Sequence, residues 1–147
     1  MRRALGVMVL LCSGGFASAT AQEPLAPPGE RGLGFKLEQN YPNPFNSETR
    51  IPFELEEALF DEGKPVTVSL RIYNILQQFV AAPVALGYPG GEGLSLLQLE
   101  YLSPGRYEAY WDGRDRQGNK VATGVYFVQM RVDDRGPPPV RRMFVTK

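Results

Sequence analysis

The sequence has no histidine and a single cysteine, Cys12. The first absence removes the imidazole bases of hydrolytic triads and the commonest metal ligand. The second leaves no intramolecular disulfide, Cys–His pair or cysteine-rich zinc site. Neither charge sign is in excess, with 16 Lys and Arg against 16 Asp and Glu. No strong field favours nucleic acid or an anionic lipid surface, and Arg141-Arg142 is too short a run to make a nucleic-acid patch. No apolar run approaches the ~20 residues that span a bilayer as a helix. No segment sustains a 3.6-residue apolar period; the nearest, Glu54 to Glu62, runs into Gly63 and Pro65. Only carboxylates, Lys, Tyr and Ser/Thr remain for chemistry, so no enzyme, cofactor, metal or small-molecule substrate is expected.

What is present starts with an export signal. Met1-Arg2-Arg3 is a basic head, Ala4 to Leu11 an apolar run, and small residues follow up to Ala19-Thr20-Ala21. This order predicts a secretory signal peptide over residues 1–21, cleaved after Ala21 or after Ala19. Leu11 directly before Cys12 does not fit a lipoprotein signal. Cleavage removes Cys12, so the exported chain must hold its fold without a disulfide. Residues 22–34, QEPLAPPGERGLG, are rich in Pro and Gly and read as a flexible linker.

From Phe35 onward, short strand signals alternate with turn signals. Val66, Val68, Leu70 and Ile72 alternate with Thr67, Ser69, Arg71 and Tyr73, the period-two pattern of a half-buried strand. Ile51, Phe53 and Leu55 form another, in which Pro52 suggests an edge or a bulge. Further strands are expected at Phe79 to Val84, Leu94 to Leu102, Arg106 to Trp111, Val125 to Val132 and Val140 to Thr146, with Tyr88 to Gly93 an exposed loop. The pattern predicts an all-β, two-sheet antiparallel sandwich of about seven strands over residues 35–147. A chain of this size buries roughly two-thirds of its unfolded surface, enough to fold on its apolar core.

The densest stretch is WDGRDRQGNKVATGVYF, residues 111–127. Trp111 continues the alternating set Tyr107, Ala109, Trp111 and belongs in the core. Asp112-Gly113 and Gln117-Gly118-Asn119 are turn signals, in which Asp caps local N–H groups and Gly accepts positive φ. Gly124 before Val125-Tyr126-Phe127 suggests a close approach by Trp111 or a neighbouring strand. A calcium loop through Asp112, Asp115 and Asn119 lacks the alternate acidic spacing and the closing Glu of an EF-hand. Tyr41 and Phe45, flanking Pro42 and Pro44, are expected to plug one end of the sandwich.

LEQNYPNPFNSETRIPFEL (37–55), VSLRIYNILQQFV (68–80), YEAYWDGRDRQGNKVATGVYFVQMRV (107–132) and the closing RRMFVTK (141–147) together resemble a known family. They are similar to the type A C-terminal sorting domain of the type IX secretion system, and equally to the Ig-like domain of the flagellar hook-capping protein. The run Tyr41-Pro42-Asn43-Pro44-Phe45, then Trp111, Asp112, Gly113, Asp115, Gly118, Gly124 and Tyr126, carries the resemblance. It implies a non-catalytic Ig-like sandwich that acts as an address. The implied partners are an outer-membrane translocon and a sortase-like peptidase at the cell surface. Arg141, Arg142 and Lys147 are the implied sorting-signal residues. Three features depart from the pattern: Gln77 stands where members carry Gly after Tyr73-Asn74-Ile75-Leu76, residues 85–103 are long, and 137–139 are all Pro. A further expectation follows from residues 22–34 alone separating signal and domain: either a free-standing structural or binding module of the bacterial envelope, or a remnant of a longer exported protein.

N-terminal sequencing of protein from its native host is expected to begin at Gln22 or Thr20. Retention of Met1 in the mature protein would overturn the export assignment.

Overall fold

The computed structural model describes residues 32–147. The expected signal peptide, 1–21, and linker residues 22–31 lie outside the described residues. Nine strands follow one another: β1 (Phe35–Leu37), β2 (Thr49–Leu55), β3 (Val66–Tyr73), β4 (Phe79–Ala81), β5 (Val84–Leu86), β6 (Leu99–Tyr101), β7 (Gly105–Trp111), β8 (Gly124–Val132) and β9 (Val140–Val145). One 3-10 turn, Glu57–Phe60, separates β2 from β3. The first sheet has the order β1-β2-β7-β5 and the second the order β4-β3-β8-β9, with β6 also paired to β3. Every strand pair is antiparallel. The architecture is the all-β, two-sheet antiparallel sandwich that the strand periodicity predicts, Ig-like as the resemblance implies, with nine strands rather than about seven.

The core lies between the sheets and follows from the alternation. Ile51, Phe53 and Leu55 of β2 face Val68, Leu70 and Ile72 of β3, and Ala109 and Trp111 of β7 meet Tyr126, Val128 and Met130 of β8; all are buried. Phe53, Tyr101 and Tyr107 form an aromatic group at one end, with Tyr101 edge-on to Phe53 at 5.7 Å and Tyr107 stacked on it at 5.8 Å. Burial pushes the Tyr101 hydroxyl well above the ordinary tyrosine range.

Four sequence expectations need correction. Pro52 is not on an edge strand, because β2 lies between β1 and β7. Its carbonyl accepts the Glu38 N–H at 3.0 Å. Its nitrogen thus points to the same side, opposite Glu38 just past the end of β1, so only the reciprocal bond to the Glu38 carbonyl is missing and the β2–β7 ladder is intact. The expected strand Phe79 to Val84 is two strands in different sheets, since the chain crosses the sandwich at Ala82-Pro83. Leu94 to Leu102 is a strand only at Leu99–Tyr101. Upstream, the chain instead runs beside β5, with Ala85 N–H to the Leu94 carbonyl at 2.8 Å and Leu96 N–H to the Pro83 carbonyl at 2.8 Å. Gly124 makes no close approach, as a Cβ there would meet nothing within 4 Å. Its φ of 153° is the reason for glycine at the start of β8.

The β3–β4 turn survives the departure at Gln77. The Asn74 carboxamide oxygen accepts the N–H groups of Leu76 and Gln78, both at 3.0 Å, and Gln77 takes φ 60°.

Trp111 is 2% exposed, its indole N–H donates to the Arg114 carbonyl at 2.9 Å, and its ring contacts both Phe45 and Tyr126. Replacing it with Ala is expected to cost about 3–5 kcal/mol, out of the ~5–15 kcal/mol of a typical domain. Chemical denaturation of Trp111→Ala checks this; a midpoint equal to wild type would place the ring outside the core.

Candidate functional site

The 112–120 loop is built from backbone capture. Asp112 Oδ1 accepts the Arg114 N–H at 3.1 Å. Asp115 Oδ1 accepts the N–H groups of Gln117 at 2.9 Å and Asn119 at 3.0 Å. The Arg114 guanidinium donates to the Gly118 carbonyl at 2.8 Å. Gly113, at φ 69°, sits where a Cβ would lie 3.1 Å from the Ser47 carbonyl oxygen. Both carboxylates are thus engaged in holding the turn. A cleft of about 410 Å³ beside the loop is lined by Phe79, Tyr110, Trp111, Asp112, Arg114 and Asp115 among others. The loop also reaches β4: Arg116 N–H donates to the Val80 carbonyl at 3.1 Å, and its guanidinium lies 4.9 Å from the Phe79 ring centre.

The 40–46 segment makes the least ordinary geometry in the protein. The Tyr41–Pro42 and Asn43–Pro44 peptides are both cis. Asn40, 2% exposed, donates to Thr49 Oγ1 at 2.9 Å and to the Pro42 carbonyl at 3.2 Å, while Thr49 donates to that carbonyl at 3.0 Å. These two buried polar side chains satisfy each other and fix the loop. The sequence reading missed them, and their only signal was a short polar residue on either side of the Pro-containing run.

The fixed loop delivers its next residues to β9. Pairing with β8 uses the backbone groups of Arg141, Met143 and Val145, in step with the Met130 N–H to Pro139 carbonyl bond. Those of Arg142, Phe144 and Thr146 therefore face away from β8. Four of these groups are engaged by the 39–45 segment. Phe45 N–H donates to the Phe144 carbonyl at 2.9 Å, and Thr146 N–H donates to the Phe45 carbonyl at 2.8 Å. Asn43 Oδ1 accepts the Phe144 N–H at 2.9 Å, and the Gln39 carboxamide donates to the Arg142 carbonyl at 2.8 Å. The terminal strand is at the sheet edge, but much of that edge is closed by the chain itself.

Most of the motif residues gather at this end. The Phe45 ring, buried, stands edge-on to Trp111 at 5.4 Å, and Trp111 stands edge-on to Tyr126 at 5.7 Å. Gly124 pairs with Val145 at the head of β8. Phe45 is the plug the sequence predicts, but Tyr41 is not. It is 45% exposed, with its hydroxyl on the Glu108 carboxylate. That carboxylate holds the Tyr41 hydroxyl above its usual range; burial does the same to Tyr126, whose hydroxyl donates to the Ala122 carbonyl at 2.9 Å. Asp115 and Gly118 lie instead in the 112–120 loop, in the cleft shared with Phe79 and Ala81 of β4. Arg142 is exposed with its guanidinium 5.7 Å from the Phe144 ring centre, Arg141 is half-buried, and Lys147 is exposed.

No protein-family model matches the chain. No curated protein matches it. Among solved structures, latent dimeric PorU from Porphyromonas gingivalis is 19% identical, with a TM-score of 0.49 over 76% of this chain. PorZ, described as an essential bacterial surface component of the type-IX secretion system of the same organism, is 22% identical, with a TM-score of 0.43 over 74%. The Pseudomonas fluorescens alkylpurine DNA glycosylase AlkC, bound to DNA, is 12% identical, with a TM-score of 0.46 over 78%. This chain spans 9%, 11% and 31% of those three chains, respectively.

Asn43→Ala is expected to leave the Phe144 N–H without its acceptor and to cost about 1 kcal/mol. Hydrogen exchange should accelerate at Phe144 and Thr146 and stay unchanged in the β3–β8 pairing. Unchanged exchange at Phe144 would show that this edge bond contributes nothing.

Proposed function

We propose that the protein is an exported, non-catalytic Ig-like domain that acts as a C-terminal address read by the type IX secretion machinery. Its partners in this reading are the outer-membrane translocon and a sortase-like peptidase. The observation that carries the proposal is the joining of the two ends of the resemblance. The Asn-Tyr-Pro-Asn-Pro-Phe run and the terminal strand, about 100 residues apart, are bonded into one folded surface (|i−j| of 101 for Phe144 to Asn43). An address of this kind resides in a folded surface rather than in a linear tail, and Arg142 and Lys147 stand exposed on it.

A second reading is a free-standing module of the bacterial envelope. The closed edge of β9 favours it, because a domain that persists on its own must suppress edge-to-edge pairing.

Fusing a fluorescent cargo between a signal peptide and residues 22–147 tests the first reading in a host that carries the type IX apparatus. The cargo is expected at the cell surface. Removing residues 141–147 is a poor control, since it deletes the buried Met143 and Val145. The informative variant is Arg141→Ala with Arg142→Ala and Lys147→Ala, verified as folded by circular dichroism and expected to stay periplasmic. An intact, folded fusion that remains in the periplasm would defeat the address and leave the envelope module.

A further inference from the structure

The two solvent-facing sheets are built differently. On the outer face of the first sheet the three strand cations each hold a carboxylate: Lys36 with Glu56, Arg50 with Glu108 and Arg106 with Glu38. On the outer face of the second sheet, Arg71, Arg131 and Arg142 have no carboxylate in ion-pair range among the described residues. Between these arginines lies apolar surface. The strand register sets Phe79 beside Tyr73, Tyr73 beside Phe127 and Phe127 beside Arg142, a line of three aromatic rings and a guanidinium across four strands. The next row is Arg71, Gln129 and Val140. Ile75, 68% exposed, and Val140, 44% exposed, bound a groove of about 490 Å³ floored by Tyr73 and Phe127.

The same face carries unmet hydrogen-bonding groups. Among the described residues, Ser69 Oγ and Arg71 Nε are the two buried side-chain polar atoms without a partner. Both belong to the outward set of β3.

We propose that the outer face of β3, β8 and β9 is a docking surface for an acidic protein segment. Its apolar side chains fill the groove, and its carboxylates meet Arg71, Arg131 and Arg142. Charge complementarity fixes the sign of the partner, and the aromatic floor with arginine flanks has the composition of an interface hot spot. Contact is through side chains on the face, because the β9 edge is largely engaged by residues 39–45. The equal numbers of acids and bases in the whole sequence give no field suited to a polyphosphate partner. Such a surface serves an address and a free-standing envelope module alike, so it stands or falls apart from the export reading.

A displayed random-peptide library selected on the whole protein tests the proposal. Enriched peptides are expected to interleave Asp or Glu with Leu, Phe or Trp. Amide shifts on binding the best synthetic peptide should map to Tyr73, Phe127, Gln129 and Val140. Arg142→Ala with Arg71→Ala should weaken that peptide at least tenfold; Arg142→Ala alone, at an exposed position, gives an intermediate loss if the double variant fails to fold. Enrichment without acidic bias, shifts that map elsewhere, or equal binding of an oligothymidine or heparin probe at the same residues would each overturn the acidic-segment assignment.

Discussion

The backbone pairing of Phe45 with the edge of β9 is the interaction on which the rest of the sandwich depends. Tyr41 exchanges both backbone bonds with Arg50, each at 2.9 Å, and so belongs to the first sheet. Four residues later, Phe45 bonds Phe144 and Thr146 of the second. Residues 41–50 therefore strap the two sheets together with main-chain hydrogen bonds, and the Phe45 ring fills the space beneath the strap against Trp111. Residues 32–147 contain no cysteine. In disulfide-bonded sandwiches a covalent bridge joins the sheets against a core tryptophan. Here a hydrogen-bonded strap and a run of edge-on aromatic contacts occupy the corresponding role.

Closing the edges at β4 and β5 follows the same logic with different pieces. The 112–120 loop places the Arg116 N–H on the Val80 carbonyl and thereby covers β4. Residues 94–96 cover β5, bonding Ala85 and Pro83, and Leu96 reaches across to accept the Leu70 N–H at 2.7 Å. Each cover is irregular chain rather than another strand, so pairing ends within the molecule instead of continuing into a second copy. The long 85–103 segment is explained by this duty. It returns from β5, closes that edge and then joins β3 as β6.

How far the sequence could be read depended on whether a feature was local. The period-two alternation of β3 and β8 places Val68, Leu70, Val128 and Met130 in the core without reference to any neighbour, and the turn at Asp112-Gly113 declares itself by residue type. Strand identity at Phe79 to Val84 was not legible, because Pro83 marks an end in either sheet and only topology shows the crossing. Pro52 misled for a similar reason: its missing donor matters only on the side where β1 stops. Tyr41 misled because an aromatic beside prolines looks like core, and the Glu108 carboxylate that holds it outside is 67 residues away. Asn40 and Thr49 were invisible for the same cause, since a buried polar pair is recognised by its mutual bonds and not by its spacing. The gathering of Phe45, Trp111, Tyr126 and β9 at one end is likewise a property of the fold alone, although every member was named from sequence.

Closed edges also constrain how the domain can be recognised. Strand addition needs a free row of N–H and C=O groups, and along β9 four of the outward groups are committed to Gln39, Asn43 and Phe45. A partner using that edge must first displace the strap and so loosen the inter-sheet packing at Phe45. A partner using a sheet face disturbs nothing. Of the two faces, the first is already neutralised by its own ion pairs, and opening one of those exchanges one ion pair for another with little gain. The second presents guanidinium groups that hold no carboxylate within ion-pair range, beside half-buried aromatic rings, where association removes apolar area from water and adds ion pairs at the same step. Edge closure and face composition thus lead recognition to the same place, the outer surface of β3, β8 and β9.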